Sequence, residues 1–121
     1  MRKILIVEDE QILSLMYQEV FAKAGFEVSA ASSISEALKQ AEKVQPDFIL
    51  LDILLQDGRA LSFLEEKKAN EKIANIPTLA FSNFDDVPTK EKALNFGVLD
   101  YLLKTDFTPN QLVDKVKSYL S

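Results

Sequence analysis

Two uninterrupted apolar tetrapeptides constrain the fold of this chain more than any other feature. Residues 4–7 (ILIV) and 48–51 (FILL) lack the alternation of apolar and polar residues that marks a strand with one solvated face. Strands buried on both faces belong to parallel sheets that carry helices on either side. We therefore expect both segments in the interior of such a sheet.

The rest of the chain alternates strand-like and helix-like segments five times, which predicts an α/β fold with right-handed crossovers. We expect a doubly wound, five-stranded parallel sheet of order 2-1-3-4-5, with helices on both faces and one domain spanning residues 1–121. The predicted strands cover residues 4–7, 26–30, 48–51, 78–81 and 99–103. The third and fourth helices are expected at about 58–69 and 87–96.

Local residue patterns predict the helix ends and inner faces. Ser33 and Glu36 form a capping box, as do Thr108 and Gln111. Gly25 and Gly97 are expected to end helices one and four, and Pro46 to stop helix two. The apolar faces are predicted to be Ile12, Leu13, Met16, Val20 and Ala24 in helix one; Ile34, Ala37, Leu38, Ala41 and Val44 in helix two; Ala60, Leu61 and Leu64 in helix three; and Leu112, Val113, Val116 and Leu120 in helix five. The charged run 65–68 (EEKK) is interpreted as a solvated helix face.

Carboxylates follow the two apolar tetrapeptides directly. Glu8 and Asp9 end the first strand and Asp52 ends the third. Ligands of such sheets bind beyond the carboxyl ends of the strands, where the strand order reverses, which is between strands one and three. Neighbouring strands lie about 4.8 Å apart, so the three carboxylates would converge and repel. A hard divalent cation relieves that repulsion, and Mg²⁺ favours such oxygen ligands.

Two further polar residues reach the same edge of the sheet. Ser82 ends strand four with a hydroxyl donor, and Lys104 ends strand five with an ammonium that suits phosphate. The chain has no histidine and no cysteine, so neither an imidazole base nor thiol chemistry is available. Carboxylates, a metal, a hydroxyl and an ammonium match phosphoryl transfer, in which positioning and charge neutralisation dominate.

With these residues and Tyr101 at the strand ends, the chain resembles the receiver domain of two-component response regulators from residue 3 to residue 120. The resemblance implies that Asp52 accepts a phosphoryl group from a phosphohistidine of a sensor histidine kinase or phosphotransfer protein, or from a small phosphodonor. It implies Mg²⁺ bound by Asp9, Asp52 and the backbone carbonyl of Leu54, with Glu8 holding the metal through water. Ser82 and Lys104 would contact phosphoryl oxygens.

The resemblance also implies a switch. Tyr101 would rotate inward when Ser82 moves toward the phosphoryl group, altering a binding face made by helix four, strand five and helix five. That face would serve a downstream effector domain or protein, and homodimerisation.

The chain departs from the family pattern near the expected site. Glu8 stands where Asp is commoner, Gln56 where Pro is frequent, and Ala60 where Gly is frequent. Thr105 replaces a proline that usually follows the lysine through a cis bond, so either isomer of the Lys104–Thr105 bond is open. Leu54, Asn83 and Phe84 are expected to modulate the lifetime of the phosphoryl-aspartate, with the apolar bulk of Leu54 and Phe84 slowing its hydrolysis.

These observations favour a cytoplasmic signalling phosphoacceptor over a metabolic enzyme, with self-phosphorylation and slow autodephosphorylation as its only chemistry. The net charge of −5 argues against direct nucleic-acid or membrane binding.

A degenerate receiver that binds proteins without phosphorylation stays open as an alternative. An aspartyl-phosphate phosphatase of the haloacid dehalogenase type fits poorly, because the segment 8–10 (EDE) lacks its paired aspartates. An FMN carrier fits poorly because the loop after strand one is acidic. Whether the chain stands alone or belongs to a longer protein is open.

Overall fold

Five parallel strands form one sheet in the order β2-β1-β3-β4-β5 in the computed structural model, which describes residues 1–55, 58–83 and 85–120. This confirms the predicted fold and strand order. The strands are β1 (Lys3–Val7), β2 (Glu27–Ala31), β3 (Phe48–Asp52), β4 (Thr78–Ser82) and β5 (Tyr101–Leu103). All four pairings in this sheet are parallel.

Helices cover both faces of the sheet, as expected. They are α1 (Gln11–Lys23), α2 (Ile34–Val44), α3 (Ala60–Ala69), α4 (Val87–Asn95) and α5 (Pro109–Leu120). Buried residues of α1 and α5 share one apolar cluster with one face of the sheet. Buried residues of α2, α3 and α4 share the other cluster.

The two apolar tetrapeptides supply both of these clusters. Successive side chains of a strand point to opposite faces, so Leu5, Val7, Ile49 and Leu51 enter the α2–α4 cluster. Ile4, Ile6, Phe48 and Leu50 enter the α1–α5 cluster. All eight side chains are fully buried. Their continuous apolar character therefore follows from a sheet that has two covered faces.

The predicted capping box at α5 forms in full, and the one at α2 forms in part. The Ser33 hydroxyl accepts a hydrogen bond from the Glu36 amide at 3.2 Å, and the Glu36 carboxylate accepts one from the Ser32 amide, one residue before the cap. At α5, the Thr108 amide donates to the Gln111 side chain at 2.9 Å and the Gln111 amide donates to the Thr108 hydroxyl at 3.1 Å. These bonds satisfy backbone donors that the first helical turn leaves free.

Two predicted element starts were wrong by two residues. Helix α3 begins at Ala60 rather than at residue 58, because Gly58–Arg59 pairs antiparallel with Leu54–Leu55 in a separate two-stranded sheet. Strand β5 begins at Tyr101 rather than at residue 99, and the Leu99 side chain is 43% exposed. The Lys104–Thr105 bond is trans, at the start of a 3₁₀ turn over Lys104–Asp106.

The inner faces of α1 and α3 differ from the predicted ones. Ile12 is 78% exposed, whereas Tyr17 and Phe21 are buried at the centre of the α1 face. On α3, Phe63 is fully buried and was not predicted to be. The interpretation of residues 65–68 as solvated was wrong at Lys67, which is 8% exposed. Ala60, Phe63, Leu64 and Lys67 share the spacing i, i+3, i+4, i+7, so the stripe that faces the core includes the lysine.

Candidate functional site

Three carboxylates lie together at the carboxyl edge of the sheet. The parallel register of β1 and β3 pairs Val7 with Leu51, so Glu8 and Asp52 follow as neighbours. One carboxylate oxygen from each of Glu8, Asp9 and Asp52 lies within 4.8 Å of the others. Glu8 and Asp52 are buried, and Asp9 is half-buried. The convergence predicted from the sequence is therefore present.

The ammonium of Lys104 lies against this carboxylate group. Its Nζ is 2.6 Å from Glu8 Oε1 and 3.4 Å from Asp52 Oδ2. Lys104 directly follows β5, which lies beyond β4 from Asp52, so its side chain crosses the end of β4 to reach both acids. The lysine was expected to face a phosphoryl group, and its contact with Glu8 was not anticipated.

The charge state of Lys104 is decided by two opposing effects. Burial lowers the pKa of this ammonium, whereas the hydrogen bond that it donates to Glu8 and the charges of Asp52 and Glu8 raise it. The carboxylates outweigh burial, and the pKa of Lys104 lies above its ordinary value. A cation therefore faces Asp52 throughout the neutral pH range.

Two aromatic side chains that sequence reasoning missed form one wall of the site. The Lys104 Nζ lies 4.8 Å from the centre of the Phe81 ring, in cation–π geometry. Tyr17 packs edge-on against Phe81, with ring centres 5.4 Å apart. Burial raises the pKa of Tyr17, an effect opposed by Lys104 and reinforced by Glu8, Asp52 and Glu10. The spacing of Tyr17 four residues after Leu13 was the available sequence indication.

Ser82 and Tyr101 lie on the face of the sheet opposite to that of Phe81. Ser82 ends β4 and is fully buried. Ala80, two residues earlier, pairs with Tyr101 in the parallel ladder, and both belong to the α2–α4 cluster. Side chains two residues apart share a face, so Ser82 and Tyr101 lie on the same face of the sheet. Tyr101 is buried.

The structure describes some of the remaining predicted residues and not others. The backbone of Leu54 lies two residues beyond Asp52, in the short strand paired with Arg59. Asn83 directly follows Ser82 and is exposed. Gln56 and Phe84 lie outside the described residues.

A sequence model of the response regulator receiver domain matches residues 4–117. The chain belongs to this family. Receiver domains act in two-component signalling, so the predicted family and pathway type are confirmed. Among the described helices, none combines the length and apolar character needed to cross a bilayer.

Curated relatives of this receiver domain include two kinds of protein. The phosphate regulon transcriptional regulatory protein PhoB of Escherichia coli (strain K12) is 30% identical over 98% of this chain and 52% of that protein. The polar-differentiation response regulator DivK of Brucella ovis is 29% identical over 98% of this chain and 96% of that protein. The chain thus spans about half the length of relatives such as PhoB and nearly all of DivK.

Solved structures share the fold of this receiver domain. The CheY-like receiver domain protein of Methanospirillum hungatei JF-1 superimposes with a TM-score of 0.91 at 24% identity, covering 99% of this chain and 94% of that one. The chemotaxis response regulator CheY4 of Vibrio cholerae gives a TM-score of 0.88 at 24% identity, covering 98% of each chain. Both have the five-stranded doubly wound architecture described above.

Proposed function

We propose that this receiver domain accepts a phosphoryl group on Asp52 and is thereby switched between two conformations. The observation that carries the proposal is the meeting of Glu8, Asp9 and Asp52 within 4.8 Å, with the Lys104 ammonium 3.4 Å from Asp52. A carboxylate nucleophile needs a nearby cation to neutralise the incoming phosphoryl charge, and this edge of the sheet provides one.

The donor set fits Mg²⁺. All three side chains offer carboxylate oxygens, the hard ligands that Mg²⁺ prefers. Asp9, Asp52 and the Leu54 carbonyl are proposed as direct ligands. Glu8 is proposed to act through water, a role supported by its 2.6 Å contact with Lys104, which already engages one of its oxygens. When bound, the metal would supply positive charge that offsets the repulsion between phosphoryl and carboxylate oxygens.

The proposed transfer involves one bond made and one bond broken. A carboxylate oxygen of Asp52 attacks the phosphorus of a phosphohistidine on a partner kinase, and the P–N bond breaks. The bonding electrons remain on the imidazole nitrogen of the partner, and a proton already carried by the other ring nitrogen leaves that imidazole neutral after the transfer. In this chain, Lys104 and the Ser82 hydroxyl would bind phosphoryl oxygens, so no general base is required.

The proposed switch concerns Tyr101 and the face formed by α4, β5 and α5. Tyr101 is buried in this structure, so the proposal requires phosphorylation to shift a population between this position and an exposed one. Val87 and Leu94 on α4 and Leu99 before β5 are exposed apolar side chains. Such side chains suit a face that binds an effector domain or a second copy of the chain.

We place the protein in the cytoplasm, with a sensor histidine kinase or phosphotransfer protein upstream and an effector downstream. Relatives named as transcriptional regulators and as a differentiation regulator support this arrangement. The chemistry of the chain itself would be limited to self-phosphorylation and slow autodephosphorylation. Leu54, Asn83 and Phe84 are proposed to set the lifetime of the phosphoryl group.

Incubation with Mg²⁺ and acetyl phosphate, followed by intact-mass measurement, tests the proposal. We expect one phosphoryl adduct on the wild type and none on Asp52→Asn. Asp106→Asn removes an exposed carboxylate outside the site and serves as the matched control, which should react normally. An adduct that persists in Asp52→Asn contradicts the proposal. No adduct at saturating Mg²⁺ would favour the degenerate binding module.

A further inference from the structure

The buried lysine of α3 contacts a backbone carbonyl and, among the described residues, no carboxylate. Lys67 is 8% exposed, and its Nζ donates a hydrogen bond to the Ala74 carbonyl at 2.9 Å. Lys104, whose side chain is 7% exposed, faces two carboxylates. Within residues 1–55, 58–83 and 85–120, no acidic side chain forms an ion pair with Lys67. Among these residues, one carbonyl dipole and no opposite charge stabilises the buried ammonium.

An uncompensated buried ammonium is energetically costly. One carbonyl accepts from only one of the three donors of the ammonium. Burial lowers the pKa of Lys67, and no charged group in the described part of the chain opposes that effect. An apolar residue at this position of the stripe would fill the core without the free-energy cost of burying a charge. We therefore expect the ammonium of Lys67 to have an anionic partner.

Lys67 lines a cleft of ≈ 390 Å³ at the end of the sheet opposite the carboxylate site. The cleft lies between α3, the segment that leads through Pro77 into β4, and the turn after α4. Its polar lining includes Lys68, Asn75 and Asn95, and its apolar lining includes Leu64 and Phe96. No carboxylate occurs among the described residues that line it. Small-molecule sites of about 300–1,000 Å³ with apolar walls and a few polar groups are typical of proteins.

We propose that this cleft binds a small organic carboxylate, with Lys67 pairing with the carboxylate group and the apolar walls holding its hydrocarbon part. Lys68 adds a second positive charge, and the two asparagines add amide donors. The apolar lining favours an organic acid over an inorganic anion, which has no surface to bury there. This site is separate from the phosphoacceptor function and does not depend on it.

The alternative is that Lys67 only fastens residues 70–76 to α3 through the Ala74 carbonyl. That role predicts no ligand. The two alternatives differ in a measurable quantity, because an anion bound beside Lys67 must raise its pKa by thermodynamic linkage. A purely structural contact leaves the pKa of Lys67 independent of added carboxylate.

The test is a titration of the full chain with sodium benzoate, followed by amide and lysine Nζ NMR signals. Benzamide, which has the same shape and no charge, is the matched probe. We expect saturable shifts at the residues lining the cleft with benzoate and weaker binding of benzamide. We also expect a benzoate-dependent rise in the Lys67 pKa. Repeating the titration in Asp52→Asn should give the same result, which separates this site from the phosphoacceptor.

The variant Lys67→Met should weaken benzoate binding about ten- to a hundredfold, as expected from loss of a hydrogen bond to a charged group. Lys72→Met, which removes an exposed ammonium outside the cleft, should bind normally. Three results would overturn the proposal: no saturable shift in the wild type, equal binding of benzamide, or unchanged binding by Lys67→Met. The wild-type pKa measurement decides the question even if Lys67→Met fails to fold.

Discussion

The Lys104 ammonium lies 2.6 Å from a carboxylate oxygen of Glu8, although 96 residues separate them in the sequence. The side chains of both residues are more than nine-tenths buried. The contact joins the end of β1 to the end of β5, strands that are not neighbours in the sheet. It therefore ties the carboxylate site to the strand that carries the proposed switch residue.

Removing Lys104 should destabilise the fold. The variant Lys104→Met leaves Glu8 and Asp52 buried without their cation, and breaking a buried ion pair in this way costs about 3–5 kcal/mol. Urea unfolding in the absence of Mg²⁺ measures the change. Lys23→Met breaks the exposed pair with Glu19 and should leave the free energy of unfolding nearly unchanged. Equal effects of the two variants would contradict the role assigned to Lys104.

Magnesium should stabilise the folded chain. Binding to the native state alone adds about 2.7 kcal/mol to the free energy of unfolding when the free ion is a hundredfold above its dissociation constant. Thermal unfolding with MgCl₂, compared with NaCl at equal ionic strength, measures the gain. Asp9→Asn should abolish most of it, and Asp106→Asn should not. A gain that survives Asp9→Asn would place the ion elsewhere.

Lys67 should make the free energy of unfolding depend on pH in the alkaline range. Because burial lowers the pKa of Lys67 in the folded chain, the unfolded chain binds more protons between that lowered pKa and the ordinary value of 10.5. The free energy of unfolding of the wild type, taken relative to Lys67→Met, should therefore rise as pH increases through this window. Urea midpoints at several pH values measure the difference. The free energy of unfolding of Lys72→Met should change with pH in the same way as that of the wild type. If the difference between the wild type and Lys67→Met does not change with pH, the lowered pKa assigned to Lys67 is wrong.

The two corrected helix faces predict opposite sensitivities to truncation. Phe63→Ala removes a fully buried ring and should cost about 3–5 kcal/mol. Ile12→Ala removes a side chain that is 78% exposed and should change stability by about 0.5 kcal/mol or less. Urea unfolding of both variants compares them directly. A loss of stability in Ile12→Ala as large as that in Phe63→Ala would instead support the inner face of α1 predicted from the sequence.

The covered sheet and the starts of α2 and α5 were predictable because their determinants are local. Residues 4–7 and 48–51 indicated two covered faces, and the structure divides them between two apolar clusters. Ser33 and Thr108 cap helices through residues only three positions away. The carboxylates of Glu8 and Asp52 were predicted to meet because parallel strands bring their carboxyl ends to one edge.

The faces of α1 and α3 were less predictable. Helix α1 carries more apolar residues than one face accommodates, so its packing against α5 and the sheet decides that Tyr17 turns inward and Ile12 outward. On α3, Lys67 occupies the fourth position of the core-facing stripe, and its charge led to a solvated assignment. Its spacing from Ala60 and Leu64 was the better guide.

The sequence by itself determined the alternation of strands and helices, the covered sheet and the gathering of Asp9 and Asp52 at one edge, because these follow from periodicity and from the direction of parallel strands. Only the tertiary structure decided which cation meets which carboxylate. Lys104 reaches Glu8 across the end of β4, and Lys67 is buried beside the Ala74 carbonyl. Such pairings depend on the positions of long side chains from distant segments, which no local pattern encodes.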